Sequence, residues 1–276
     1  MTEEASGYGG ADWIDGRTVV PQERAWRRLE AMCERRVAGA PLQYVLGSWS
    51  FRGLDLMVDE RVLIPRPETE VVVEVALDEA VRLGYRRGPR PLIGREPRGV
   101  VADLGTGSGA IALALEAELP EAEVWATDLS EDALAVARAN LAGTGAARVR
   151  LAAGSWFHAL PVELRGRIDL IVSNPPYVAD AEFATLPDEV ARYEPRRALV
   201  SGPAGTEALE HLVVHAPSWL AANGVLVCEI APHQADTVTE QARRAGFESV
   251  EVRPDLTGRL RALIARRTGS VEPRDG

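Results

Sequence analysis

Apolar and polar positions along this chain follow two rhythms, one of three to four residues and one of two. Trp26, Leu29, Met32, Cys33 and Val37 recur at helical steps, which predicts a helix that starts near Pro21 and stops at Gly39 and Pro41. Leu54, Leu56 and Val58 alternate as a short strand, with Gly53 as its turn residue. After Ile64-Pro65-Arg66-Pro67 the helical rhythm returns from Glu68 to Leu83. From Val100 onward strands and helices alternate. Strands are predicted over 100–104, 124–127, 149–151, 168–172, 224–230, 250–252 and 260–265, and helices over 110–119, 131–141, 207–221 and 233–245. Alternation of this kind predicts an α/β fold, a doubly wound and mostly parallel sheet covered on both faces.

The same patterning divides the chain. Residues 1–17 are polar and glycine-rich and are expected to be a disordered tail. A short N-terminal helical segment occupies 18–47; a lone helix has no core of its own, so it must pack on the next domain or on a partner. Residues 48–84 form a hairpin and a linking helix. Residues 85–98, with the basic run Arg86-Arg87-Gly88-Pro89-Arg90-Pro91, are expected to be a solvated linker. The main domain spans 99–267, and 268–276 form a second disordered tail.

At 276 residues the chain can hold one large domain plus a small appendage. Its net charge of −10 disfavours broad nucleic-acid binding, because phosphates would be repelled. The only cysteines, Cys33 and Cys228, lack metal or redox spacing, so reduced thiols and a cytoplasmic location are expected. No apolar run is long enough for a bilayer, and Met1-Thr2-Glu3-Glu4 lacks the basic start of a signal peptide. His211 and His215 are four apart but have no accompanying Glu or third ligand, and no metal is expected.

The chemistry concentrates at two strand ends. Asn174-Pro175-Pro176-Tyr177 comes directly after the apolar run Ile168 to Ser173. Two prolines stiffen the backbone, the Asn174 amide adds an acceptor, and Tyr177 offers a flat face. Such a notch suits a planar –NH2 group, whose two hydrogens need two acceptors. The other strand end is Asp103-Leu104-Gly105-Thr106-Gly107-Ser108-Gly109, whose glycines allow close backbone approach to a ligand. Asp103 suits a cationic ligand and is hostile to a pyrophosphate. Asp128, ending the second strand, can accept both hydroxyls of a ribose or cap the helix that begins at Ser130-Glu131. A carboxylate for a cation and another for a ribose describe S-adenosylmethionine better than NAD. Trp156 comes after the next strand and either lies against adenine or belongs to the core. Arg66 and Glu68 are expected to shape the roof of the site, with an ion pair between them or to a neighbour. Glu229 ends a strand as a further carboxylate without an assigned role.

Val62-Leu63-Ile64-Pro65-Arg66-Pro67-Glu68-Thr69-Glu70, the turn from Asp103 to Gly109 and the stretch Ser173 to Tyr177 together resemble protein-(glutamine N5) methyltransferases of the HemK/PrmC type. Gly39 to Gly47 also resembles the family segment that precedes its hairpin. The resemblance implies a class I S-adenosylmethionine-dependent methyltransferase with seven strands, the last antiparallel, preceded by a helical domain that helps to hold a protein substrate. It implies that Gly105, Thr106, Gly107, Ser108, Gly109, Asp128, Trp156 and Asn174, beside Asp103, contact S-adenosylmethionine. Asn174, Pro175, Pro176 and Tyr177 would hold and position a glutamine amide. The implied partner is a class 1 peptide-chain release factor, modified on the Gln of its Gly-Gly-Gln loop, or a ribosomal protein. Three departures stand out: a shorter N-terminal region, Ser155 where many relatives carry an acidic residue, and a less glycine-rich loop over Ser201 to Thr206. The rival readings are an N6-adenine methyltransferase on DNA or RNA, a non-catalytic S-adenosylmethionine-binding module and, more distantly, a dinucleotide oxidoreductase.

Overall fold

Neighbouring residues of the central strands serve opposite faces of one sheet, and this alternation sets the architecture. The computed structural model describes residues 1–7, 22–88, 97–146 and 148–268. Strands β3 (Gly99–Leu104), β4 (Ala122–Asp128), β5 (Val149–Ala153), β6 (Ile168–Ser173), β9 (Leu220–Glu229), β10 (Ser249–Pro254) and β11 (Leu260–Arg266) form a seven-stranded sheet in the order β10-β11-β9-β6-β3-β4-β5. Contacts among β9, β6, β3, β4 and β5 are parallel, and β11 runs antiparallel to both β9 and β10. This is the class I methyltransferase topology, with the final strand inserted against the direction of the rest.

On one face Val101, Leu170, Val225 and Ile264 pack with α4 (Pro67–Arg82) and α5 (Ala110–Glu118). On the other, Ala102, Ile171, Leu226 and Leu263 pack with α9 (Glu207–His215) and α10 (Ala235–Arg244). The core is thus two apolar layers separated by the sheet, as a strand period of two requires. Helix α6 (Glu131–Thr144) carries Ala133 and Val136 against Tyr44, Val58, Val62 and Ile64. That third cluster holds the segment after the hairpin β1 (Ser48–Phe51) and β2 (Leu54–Met57) close to the sheet's carboxyl edge. Helix α4 is tied down by an internal ion pair: buried Glu79 receives Arg266 on both oxygens, at 2.6 and 2.8 Å, and Arg82 at 2.6 Å. Burial alone would raise the Glu79 carboxyl, but the two guanidinium groups outweigh it and hold it below the ordinary glutamate range.

Several expectations need correction. Residues 2–6 of the expected N-terminal tail form a short helix, α1 (Thr2–Ser6), whose Ala5 is buried with Met32 of α2 (Glu23–Val37), Ala40 and Val45. Residues 8–21 lie outside the described residues, as do 269–276 of the C-terminal tail. The predicted stripe on α2 is only partly used: Met32 is buried, whereas Trp26 is 51% and Val37 89% exposed. The expected linker begins as packed structure. Tyr85 is buried and donates to Asp169 at 2.6 Å, while Arg86 pairs with Glu121 and Arg87 with Glu74 and Glu118. Residues 89–96 are outside the described set. The helix predicted over 207–221 stops at His215, because Pro217, in a 3-10 turn over Ala216–Ser218, has no N–H and its ring clashes with a continuing helix. Strand β9 accordingly starts at Leu220 instead of Gly224. Patterning also overlooked short elements: α3 (Leu42–Leu46), α7 (Asp188–Tyr193), α8 (Arg196–Leu199), and the small parallel pair β7 (Val178–Ala179) and β8 (Val200–Gly202).

Candidate active site

Strand order reverses at β3, which has β4 on one side and β6 on the other. In open α/β sheets a crevice forms beyond the carboxyl ends at such a point. The Ser173 hydroxyl donates to the Leu104 carbonyl at 2.6 Å and locks the two strand ends together. Beyond them lies a cavity of about 150 Å³, lined by Gly105, Gly107, Asp128, Ser155, Trp156, Asn174 and Pro176, with Val62, Leu63, Leu129 and Arg197 among the remaining walls.

The side expected to hold the cofactor, the donor side, is a backbone structure. Gly105, Gly107 and Gly109 have φ of +79°, +55° and +86°, the left-handed region that side chains resist. A Cβ on Gly105 would come within 3.3 Å of the Trp156 ring, so the glycine keeps open the approach beneath that ring. Trp156 itself has φ of +47°, an uncommon conformation for a bulky residue, and it is held there at the cavity wall. Asp128 accepts the Gly107 N–H at 2.9 Å on one oxygen and the Ser130 N–H at 2.8 Å on the other. The ribose and cap readings of this residue are therefore compatible: each oxygen keeps further accepting capacity toward the cavity it lines. Burial raises the Asp128 carboxyl, against the pull of the Ser130 and Gly107 N–H groups.

Four residues expected at the cofactor do not line this cavity. Asp103 is fully buried; its Oδ2 accepts the Thr106 hydroxyl at 2.6 Å and the Ala112 N–H at 3.1 Å, while Oδ1 has no hydrogen-bond partner. Burial pushes its carboxyl up to about 7, with the Thr106 and Ala112 bonds opposing and Asp128 adding. Its position is beneath the glycine turn, as a brace. Thr106 is the other half of that brace. Ser108 is buried, and its carbonyl accepts the Asn140 amide at 2.8 Å. Gly109 faces Leu113 and Ala137, leaving room for helix packing. These residues shape the turn, and Gly105, Gly107, Asp128 and Trp156 present it.

The side expected to hold the glutamine amide, the acceptor side, is built from side chains. Asn174 Nδ2 donates to Thr69 Oγ1 at 3.1 Å, and the Thr69 hydroxyl donates to Glu229 Oε2 at 2.6 Å. The Tyr177 hydroxyl donates to Glu229 Oε1 at 3.3 Å. Burial raises both the Glu229 carboxyl and the Tyr177 phenol. Asn174 and Pro176 face the cavity; Pro175 is buried, and Tyr177 turns its hydroxyl toward Glu229. The Tyr177 carbonyl accepts Gln234 Nε2 at 3.0 Å, and the same amide reaches Gly205 at 2.9 Å, which pins the chain leaving the notch. The roof pair is resolved as well: Arg66 binds Glu194, not Glu68, and Glu194 also accepts the Ile64 N–H at 3.3 Å. Burial raises the Glu194 carboxyl, with Arg66 opposing. Tyr44 donates to the Val62 carbonyl at 2.5 Å from the other side.

Thr69 and Glu194 escaped the sequence reading. Thr69 lies within the Val62 to Glu70 motif but has no chemistry that singles it out there, and Glu194 lies in a polar stretch without periodicity. His211 is half-buried with its ring 6.4 Å from Trp156 and stacked at 4.2 Å on exposed His215. Among the described residues no group of three His, Cys, Asp or Glu side chains is placed to hold a metal, and no helix is long and apolar enough to cross a membrane.

Residues 91–192 match the family model of the methyltransferase small domain. The release factor glutamine methyltransferase of Deinococcus radiodurans is 43% identical over 248 residues, covering 90% of this chain and 81% of that protein. The chain belongs to the release factor glutamine methyltransferase family. The Bordetella pertussis member is 45% identical over 236 residues, with 86% of this chain and 80% of that protein covered. Among solved structures, the hMettl16 catalytic domain in complex with the MAT2A 3′UTR hairpin 1 superposes with a TM-score of 0.61 at 16% identity, covering 84% of this chain and 79% of that one. A methyltransferase from Pyrococcus furiosus gives 0.52 at 19% identity, covering 88% and 99%. These two likenesses are of fold. Family and topology together make this an S-adenosylmethionine-dependent methyltransferase, and the donor side fits that cofactor. Gly105 at left-handed φ leaves room under Trp156, and Asp128 keeps accepting capacity for a ribose.

Proposed function

We propose that this protein methylates the side-chain amide nitrogen (N5) of a glutamine in a peptide-chain release factor, within a Gly-Gly-Gln loop, and does so in the cytoplasm. The observation that carries the reading is the orientation of Asn174. Its Nδ2 is committed to Thr69, so its Oδ1 is left to accept a hydrogen bond at a wall of the cavity that the donor turn also lines. Support for the acceptor protein comes from relatives that carry the name over most of both chains.

An amide nitrogen is a poor nucleophile, because its lone pair is delocalised into the carbonyl. S-adenosylmethionine, when bound, supplies an electrophilic methyl on a sulfonium, and the remaining work is placement. Gly105, Gly107, Asp128 and Trp156 would hold it; Thr106, Ser108, Gly109 and Asp103 maintain the turn. Asn174 Oδ1 and the Pro175 carbonyl would accept the two amide N–H groups, aim the nitrogen and favour positive charge developing on it. Pro176 narrows the wall and helps to exclude water. Placement of this kind is worth about 7–11 kcal/mol, enough to dominate the acceleration. No general base is required before transfer, since the nitrogen can lose its proton afterwards.

The test uses labelled S-adenosylmethionine, the purified protein and a lysate of cells lacking it. A release factor as the main labelled band is the expected result. Label confined to a ribosomal protein or to nucleic acid would overturn the proposed acceptor.

A further inference from the structure

We propose that Thr69 and Glu229 are positioning residues for the transfer: together they fix which end of the Asn174 carboxamide faces the substrate. This rests on the reading of Asn174 as the acceptor of the glutamine amide.

An asparagine side chain is nearly symmetric in shape and opposite in polarity at its two ends. Turned one way, Asn174 accepts from a substrate –NH2; turned the other, it presents its own –NH2 and repels it. Something must break that symmetry, and the polar chain behind Asn174 does so in one direction. Glu229 accepts on both oxygens, at Oε2 from Thr69 and at Oε1 from Tyr177. The single Thr69 hydroxyl proton is therefore spent on Glu229 Oε2, at 2.6 Å. What Thr69 Oγ1 has left is a lone pair, so Asn174 must meet it with Nδ2, at 3.1 Å. Oδ1 is then directed away from Thr69 and is free to accept at the cavity. Tyr177 donates to the other carboxylate oxygen at 3.3 Å and keeps Glu229 from turning.

Placement supports this role. Thr69 is 4% and Glu229 1% exposed, so solvent does not supply alternative partners. Thr69 lies in the first turn of α4, its N–H bonded to the Arg66 carbonyl at 3.1 Å, and Glu229 ends β9 beside Ala262 of β11. Both sit on rigid elements, which a locked amide requires. Burying a carboxylate between two hydroxyls costs free energy that a neutral side chain would not. Polarity control gives that cost a purpose.

The test compares Thr69→Val, Thr69→Ser and Glu229→Gln with wild type, each alone and Thr69→Val also in an Asn174→Ala background. The readouts are turnover on an unmethylated release factor at saturating substrates, KM for that protein, and calorimetric cofactor affinity. Thr69→Val removes both bonds at almost constant volume, and kcat should fall about 10- to 100-fold while KM and cofactor affinity stay within about twofold. Thr69→Ser should restore most of the rate. Glu229→Gln, which can donate to Thr69 and reverse the chain, should also lose rate. In the Asn174→Ala background, Thr69→Val should cost less than about twofold, because the group it acts through is gone. Undiminished kcat in Thr69→Val or Glu229→Gln, or an equal loss in both backgrounds, would overturn the proposal while leaving the activity itself in place. Failure of the wild-type protein to methylate the release factor would instead overturn the reading on which it rests.

Discussion

The two sides of the cavity are built by different means, and under the proposed function each would hold a polar group still. The donor side uses backbone: positive-φ glycines, with Asp128 fastening the turn through the Gly107 N–H. The acceptor side uses a file of side chains from three distant segments, Asn174, Thr69 and Glu229, each bond fixing the polarity of the next. A backbone cradle fails where a glycine gains a Cβ or where a side chain that fastens it, such as Asp128, is lost. A side-chain file fails at any member. Binding and turnover should therefore come apart under mutation.

The largest separation is expected for Asn174→Ala. Losing one preorganised acceptor at the reacting nitrogen should lower turnover at saturating substrate by about 10²- to 10³-fold, as removal of a single oxyanion donor does elsewhere. Cofactor affinity, measured by calorimetry, should change by much less. Gly105→Ala should do the converse. Its φ of +79° and the 3.3 Å approach to Trp156 should weaken cofactor binding by about tenfold, since left-handed backbone costs roughly 1–2 kcal/mol for a side-chain-bearing residue. Turnover at saturating cofactor should remain near wild type. Asp128→Asn keeps one acceptor and loses another, and a loss of about 0.5–1.5 kcal/mol in cofactor affinity is expected.

A last effect concerns stability instead of binding or turnover. Asp103 is an acid whose carboxyl rises from 3.8 to about 7 on folding. The folded state thus holds this proton more tightly than the unfolded chain, so its contribution to stability declines as pH rises from about 4 to about 7 and is level above that. Asp103→Asn keeps an oxygen for Thr106 and Ala112 and removes the charge. Denaturant unfolding of the variant should lack this decline, and the gap to wild type should widen over that window. A gap independent of pH would place the proton elsewhere.

The sheet and its helices were legible because strand and helix periods are local properties, and runs such as Ile168 to Val172 carry them without help. That Gly105, Gly107, Asp128 and Asn174 would meet at one crevice was legible because turn glycines and strand-end polar residues gather beyond the carboxyl edge of such a sheet. The pattern left Trp156 open between cavity and core, and the structure places it at the cavity wall. The bracing roles of Asp103, Thr106 and Ser108 were not, since sequence does not say whether a loop side chain points into the cavity or beneath it. Thr69 and Glu229 stand 160 residues apart, and Glu194 reaches Arg66 across 128. Such partnerships exist only after folding. Pro217 ended α9 earlier than its apolar rhythm suggested, a steric veto over a correct pattern.

The central claim, that a captured carboxamide nitrogen meets the methyl donor across this cavity, is tested most directly by locating the methyl group. After a single turnover of the purified protein on unmethylated release factor, tandem mass spectrometry should place one methyl on the side-chain amide nitrogen of one glutamine. A methyl on a lysine, a backbone amine or a carboxylate oxygen would contradict it.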